Sequence, residues 1–216
     1  MGSSYDRFVV ALSVLRGEED ANLILADMLD EGGSRALAQW ARSKLRPQKR
    51  LQLVISVLPY KASLRIACHC FEHALSYYRE TEETIAGVRD IASWTKGEAD
   101  RETLDIGCLV LSRVFPSAFG VQDVDKTAQA LHVAAKCVGG AEDCEAAADS
   151  SSLRSHAEES CNGSRKAVTA SRNMVHAIYG NLRPGLELFQ FRKASRRELN
   201  WQVEAAVSVI EELIAH

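Results

Sequence analysis

From one end of this chain to the other, apolar residues recur at steps of three and four, and no convincing strand-like alternation interrupts them. Such spacing gathers the apolar side chains on one face of an α-helix, and that face must bury against another element. The clearest stripe lies near the C-terminal end, where Leu199, Val203, Ala206, Val207, Ile210, Leu213 and Ile214 share a face. Ser195 and Glu198 precede it at the capping-box spacing, in which the two side chains satisfy backbone N–H groups reciprocally. The last helix is therefore expected to begin at Ser195. A second stripe, Leu64, Ala67, Cys68, Phe71, Ala74, Leu75 and Tyr78, predicts a long helix from Lys61 to Arg79. The fold class expected is all-α, a multi-helix bundle with an N-terminal helical hairpin.

Punctuation residues divide the rest. Helices are expected over Tyr5–Arg16, Glu19–Glu31, Ser34–Lys44 and Gln48–Val57, followed by a junction at Pro59, which biases its predecessor away from helix. The Gly32-Gly33 pair suits a left-handed helix end, and Ser34 can cap the helix after it. Thr81–Lys96 is expected to stop at Gly97, and Asp100–Val114 to stop near Pro116. A helix capped by Asp123 is expected to end at Gly139-Gly140, with a shorter one over Ala141–Asp149. The stretch Ser150–Ser164 reads as polar and partly mobile, and helix resumes over Arg165–Tyr179. The division expected is an N-terminal module over residues 1–44 and a bundle over 45–216, or one continuous domain.

At 216 residues the chain is long enough to bury a sizeable core, and 46% hydrophobic with 25% charged residues is ordinary for a folded protein. A formal net charge of -3 argues against a dedicated nucleic-acid binder. The basic clusters Arg46-Lys49-Arg50 and Arg192-Lys193-Arg196-Arg197 sit near helix junctions, where solvated helix ends account for them. No apolar run approaches the ~20 residues that span a bilayer. The first residues lack a basic region followed by an apolar core, so no secretory signal is expected and the cytoplasm is the default location. In that setting the six cysteines are expected as reduced, mostly buried thiols.

Few patterns carry chemistry. His69-Cys70-Phe71-Glu72-His73 matches H-x-x-E-H, an inverted zinc-peptidase spacing. On a helix His69 and His73 share a face, and Glu72 would activate a metal-bound water. A third ligand would come from afar, with Glu142 and Glu145 as candidates. A zinc-dependent hydrolase is thus the alternative reading. The pattern is short, however, and an all-α chain of this size does not suit that peptidase class. Cys68 and Cys70, two apart on a helix, point to nearly opposite sides and do not converge on a metal with His73. Cys137 and Cys144 flank Gly139-Gly140 and would meet across a turn there, with His132 nearby. The strand-to-helix serine elbow, the phosphate-binding loop and the dinucleotide glycine turn are all absent. No catalytic residue, metal ligand or cofactor is assigned. Trp40, Trp94 and Trp201 are expected to pack between helices.

Two stretches carry resemblances. Leu23–Arg42, reading LILADMLDEGGSRALAQWAR, resembles the bacterial repeat-companion domain, with Leu25-Ala26-Asp27 as its core and Met28 where that family usually has Trp. The resemblance implies an accessory module with no assigned catalysis. Val54–Leu104 resembles a family of immunity proteins from bacterial toxin systems. There Cys70-Phe71-Glu72-His73 stands for a Cys-Ala-Glu-Arg pattern, with Arg89, Trp94, Lys96, Gly97 and Glu98 in register. That resemblance implies toxin binding. The reading favoured is a non-enzymatic protein-binding or scaffold protein that neutralises a toxin or serves a larger assembly. Its expected partner is another protein. The surfaces expected to carry binding are the acidic edge of Asp27, Asp30 and Glu31 and the exposed side of the Lys61–Lys96 hairpin.

Overall fold

The computed structural model describes residues 4–17, 46–78, 82–114, 122–182 and 188–215. The described residues form eight helices and no strand, so the expected all-α class is the fold observed. The helices are α1 (Ser4–Arg16), α2 (Pro47–Val57), α3 (Tyr60–Leu75), α4 (Glu82–Lys96), α5 (Arg101–Ser112), α6 (Gln122–Ala146), α7 (Ser150–Leu182) and α8 (Leu188–Ala215). The hairpin expected over Glu19–Lys44, Trp40, the edge formed by Asp27, Asp30 and Glu31, and the boundary at 44/45 lie outside the described residues.

Backbone proximity groups the described residues into two compact units. One comprises the described residues up to Leu58 together with those from Val203 onward. Within it Phe8, Ala11, Val14 and Leu15 of α1 are buried, as are Leu51, Val54 and Ile55 of α2 and Ala206, Val209 and Ile210 of α8. Arg16 at the end of α1 pairs with Glu211.

The other unit, Pro59–Gln202, is organised around α3. That helix packs against α4, α6 and α7. Its apolar stripe is buried as the periodicity requires, with Leu64, Ala67, Phe71, Ala74 and Leu75 all at 0% exposure. Burial extends round the helix to Ala62, Ser63, Arg65, Ile66 and Cys70, because neighbours cover more than one side. Burying a Leu- or Phe-sized side chain is worth about 1.5–3 kcal/mol. Exposed pairs such as Arg154–Glu158 and Arg101–Asp143 contribute about 0–1 kcal/mol each. The apolar interior therefore holds this unit together.

Local signals set several helix ends. Pro47 occupies the first turn of α2, where its missing N–H has no helical partner to lose. Gly97 ends α4 with φ +76, and Glu98 N–H bonds Ser93 O while Gly97 N–H bonds Trp94 O, the double bond pattern of a left-handed helix stop. Asp100 caps α5, its Oδ1 accepting from Thr103 N at 2.9 Å and Thr103 Oγ1 at 2.8 Å. Asp149 caps α7 through the N–H groups of Ser151 and Ser152, and hydrogen bonds from the Ser152 and Ser151 side chains, followed by those N–H groups, hold its carboxyl down to about 2.

Three expected breaks are absent, each for a physical reason. Helix α6 runs unbroken through Gly139-Gly140, and α7 runs through the polar stretch 150–164. The glycines serve close approach. A Cβ at Gly139 would meet the Arg101 guanidinium at 2.7 Å, one at Gly140 the His156 ring at 3.0 Å, and one at Gly163 would meet Ala134 Cβ at 2.9 Å. Glycine inside a helix costs about 1 kcal/mol relative to alanine, which the tight packing of α6 on α7 offsets. The third difference concerns α8, which begins at Leu188 and leaves Ser195 and Glu198 in its interior. Glu198 is then not a cap; it points inward and is 4% exposed.

Helices α4 and α5 come together backbone to backbone, and a Cβ at Gly107 would sit 2.7 Å from Gly87 O and 2.8 Å from Ile91 Cγ1. A carbonyl cannot swing aside as a flexible side chain can. Gly107→Ala is therefore expected to destabilise the protein by about 1–2 kcal/mol, the overpacking cost exceeding the helix-propensity gain. Urea unfolding of the two proteins measures the difference.

Candidate functional site

A helix buried on several sides has to satisfy whatever polar groups it carries. Helix α3 carries Ser63, Arg65, His69, Glu72 and His73. Arg65, 7% exposed, donates from Nε to Thr95 Oγ1 at 3.2 Å and from a terminal nitrogen to Thr95 O at 2.7 Å. Its charge thus meets the last turn of α4, where carbonyl dipoles favour a cation. Lys61 stands 4.7 Å over the Trp94 ring and pairs with Glu142. Trp94 accordingly packs between helices, as expected.

The H-x-x-E-H residues sit one after another on α3, but they serve different neighbours. Glu72 Oε1 accepts from Arg89 Nε of α4 at 2.6 Å. His73 turns to α8: its Nε2 lies 3.2 Å from Glu198 Oε2, and its ring stacks on Trp201 at 3.7 Å between centroids and 12° between planes. Tyr77 packs edge-on against the same imidazole. The distant carboxylates proposed as a third ligand lie at the other end of the helix. Glu142 pairs with Lys61 and Glu145 bonds Tyr60, roughly 12 Å along the helix from His69 at 1.5 Å per residue. Among the described residues no group of three or more His, Cys, Asp or Glu side chains is placed to hold a metal ion.

What the fold does assemble is a polar cluster centred on Glu198. Besides His73 and Trp201, it draws in Cys70 of α3 and Arg172 and His176 of α7. Oε1 of Glu198 is buried with no hydrogen-bond partner among the described residues. Arg172, 8% exposed, is a buried cation near enough to feel the Glu198 carboxylate; burial lowers its pKa and Glu198 offsets part of that. His176 is held below its ordinary value chiefly by burial and then by Arg172, with Glu198 acting in the opposite sense. One turn on, Gln202 donates to Val168 O at 3.2 Å and ties α8 to α7.

Chemically, the pairing fixes the ring of His73 against a buried carboxylate. A nucleophile is harder to find. All six cysteines are free, and burial raises every one of their thiols: Cys108 and Cys137 to about 11, and Cys68 and Cys70 further. They are protonated at neutral pH, the inert state of a structural cysteine. Cys137 and Cys144 lie on one continuous helix, about 10 Å apart along its axis, so the expected turn that would join them does not exist. His132 Nδ1 bonds Cys108 O at 2.8 Å and, since a carbonyl only accepts, that nitrogen carries the proton.

A groove of about 540 Å³ opens between α6 and α7, bordered by Lys126, Gln129, Val133, Glu158, Asn162 and Lys166. Its charges are mixed in sign and select no obvious ligand. The outer side of the α3–α4 hairpin belongs mostly to α4, since α3 is largely buried; Glu82, Glu83, Ala86, Arg89 and Lys96 are exposed there. Comparisons with protein-family models, with curated proteins and with solved structures each found no match.

Two outcomes follow for the cluster. Arg172 and Glu198 are buried groups of opposite charge that favour each other, so Glu198→Gln and Arg172→Met should each destabilise. Combined, they should cost less than their sum by about 0.5–3 kcal/mol, read from a double-mutant cycle in urea. The second concerns pH. His176 binds its proton less readily folded than unfolded, so this contribution to stability is present above its unfolded value near 6.5 and is lost as pH falls through the depressed folded value. Between pH 7.5 and pH 5 the urea midpoint should drop further for the native chain than for His176→Gln.

Proposed function

We propose that this chain acts by binding another protein rather than by turning over a substrate, and that in a bacterial cytoplasm it neutralises a toxin or serves as a subunit of a larger assembly. The observation that carries this reading is the fate of the polar side chains on α3. Glu72 is engaged by Arg89, and His73 by Glu198 and Trp201. Residues arranged to join helices supply rigidity, which a binding surface needs, and the raised thiols add no nucleophile. The resemblance of Ile85–Glu98 to immunity proteins supports the toxin-binding form, and the free cysteines suit a reducing compartment. No helix among the described residues is long and apolar enough to cross a membrane.

The surface this reading uses is the outer face of α4. Glu82 and Lys96 are exposed there. Affinity capture with the intact chain, from lysate of the cells that make it, tests the proposal. The expected result is a stoichiometric protein partner, held at least tenfold more weakly by Glu82→Lys and Lys96→Glu, each a loss of about 1.4 kcal/mol. Equal retention by the variants would remove this face. Peptide hydrolysis by the purified chain, abolished in Glu72→Gln, would overturn the non-catalytic reading.

A further inference from the structure

Helix α5 buries Leu104, Gly107, Cys108 and Leu111 on one side. On the opposite side stand Glu102, Ile106, Leu109 and Arg113, all exposed, with Ile106 and Leu109 at 49% each. Arg113 follows the last helical residue but keeps αR backbone, so its side chain continues the row. The steps between the four are four, three and four residues. At 3.6 residues per turn they fall within about 60° of arc, the narrow seam by which two helices pack.

The row is also its own complement. Positions 102 and 113, and positions 106 and 109, are placed symmetrically about one midpoint. An antiparallel copy of the helix, related by a two-fold axis through that midpoint, brings Glu102 opposite Arg113 and Ile106 opposite Leu109, twice over. Neither Glu102 nor Arg113 has an ion-pair partner among the described residues, whereas the flanking Asp105 is matched by Arg101 of its own helix at 3.8 Å. The two charges of this helix that have no partner among the described residues are thus the two that a second copy would pair.

We propose that the exposed face of α5 is a self-association surface, on which two copies of this chain pack antiparallel with Glu102 of each against Arg113 of the other. The isologous arrangement needs only this one patch. One short helix buries less than the ~1,200 Å² typical of a stable interface, so the dimer is weak and concentration-dependent. The surface is separate from the α4 face assigned to a partner protein, and its test is independent of that assignment.

Sedimentation equilibrium of the intact chain, from tens of micromolar to about a millimolar, reads the association directly. The mass should rise from that of a 23.7 kDa monomer towards twice that value. Glu102→Arg and Arg113→Glu should each weaken the association more than about tenfold, because each places like charges together at both ends of the seam. Mixing the two variants should restore it, since one then carries only cations at these positions and the other only anions. The double variant should also self-associate. Variant folding is checked by thermal melts, both side chains being exposed. A chain that stays monomeric throughout, even one that captures a different protein, overturns the proposal. So does association that survives either single reversal, or that fails to return in the mixture.

Discussion

The constraint on which the Pro59–Gln202 unit depends is that α3 is buried on more than one side while carrying several polar residues. A helix wrapped in this way gains its stability from Leu64, Ile66, Phe71 and Leu75, all fully buried. It must also meet every donor, acceptor and charge it takes inside. The neighbouring helices supply the answers: Thr95 at the end of α4 for Arg65, Arg89 of α4 for Glu72, and Glu198 of α8 for His73. These bonds give each helix a preferred partner, which apolar packing alone specifies less sharply.

The same constraint bears on function. A helix whose His and Glu residues reach outward to different neighbours is being positioned by them. Catalytic constellations work the other way, converging several groups on one point. The Glu198 cluster comes nearest to convergence, with two histidines, an arginine and a tryptophan about one buried carboxylate. Its partners sit on α3, α7 and α8, so it acts as the polar joint of three helices. On the proposed reading, recognition falls to the exposed faces, that of α4 for a partner protein and that of α5 for a second copy.

Much of this architecture was legible in the sequence, and the failures share a cause. Pro47, Pro59, Gly97 and Asp100 mark helix ends through local backbone chemistry, which a single sequence displays. Gly139, Gly140 and Gly163 carry the same residue type, yet they are interior positions where another helix or a long side chain comes close. Nothing local separates a glycine that ends a helix from one that admits a neighbour. Glu198 was concealed in the same way: Ser195 three residues earlier has the capping spacing, while the histidine that Glu198 meets is 125 residues distant, and Arg172 and His176 lie on another helix again. Such tertiary pairings leave one faint trace, a polar residue such as Glu198 or Gln202 lying beside an apolar stripe.

The account's central claim is that α3 is the element around which its unit is built, and amide hydrogen exchange monitored residue by residue tests it most directly. The account predicts that the amides of Ala62–Leu75 exchange only through global unfolding, with protection equal to the stability measured in urea, while the outer turns of α4 and α5 open at lower free energy. Exchange from α3 that is faster than from α4 and α5 would contradict it, because a helix that opens before its neighbours cannot be what holds them.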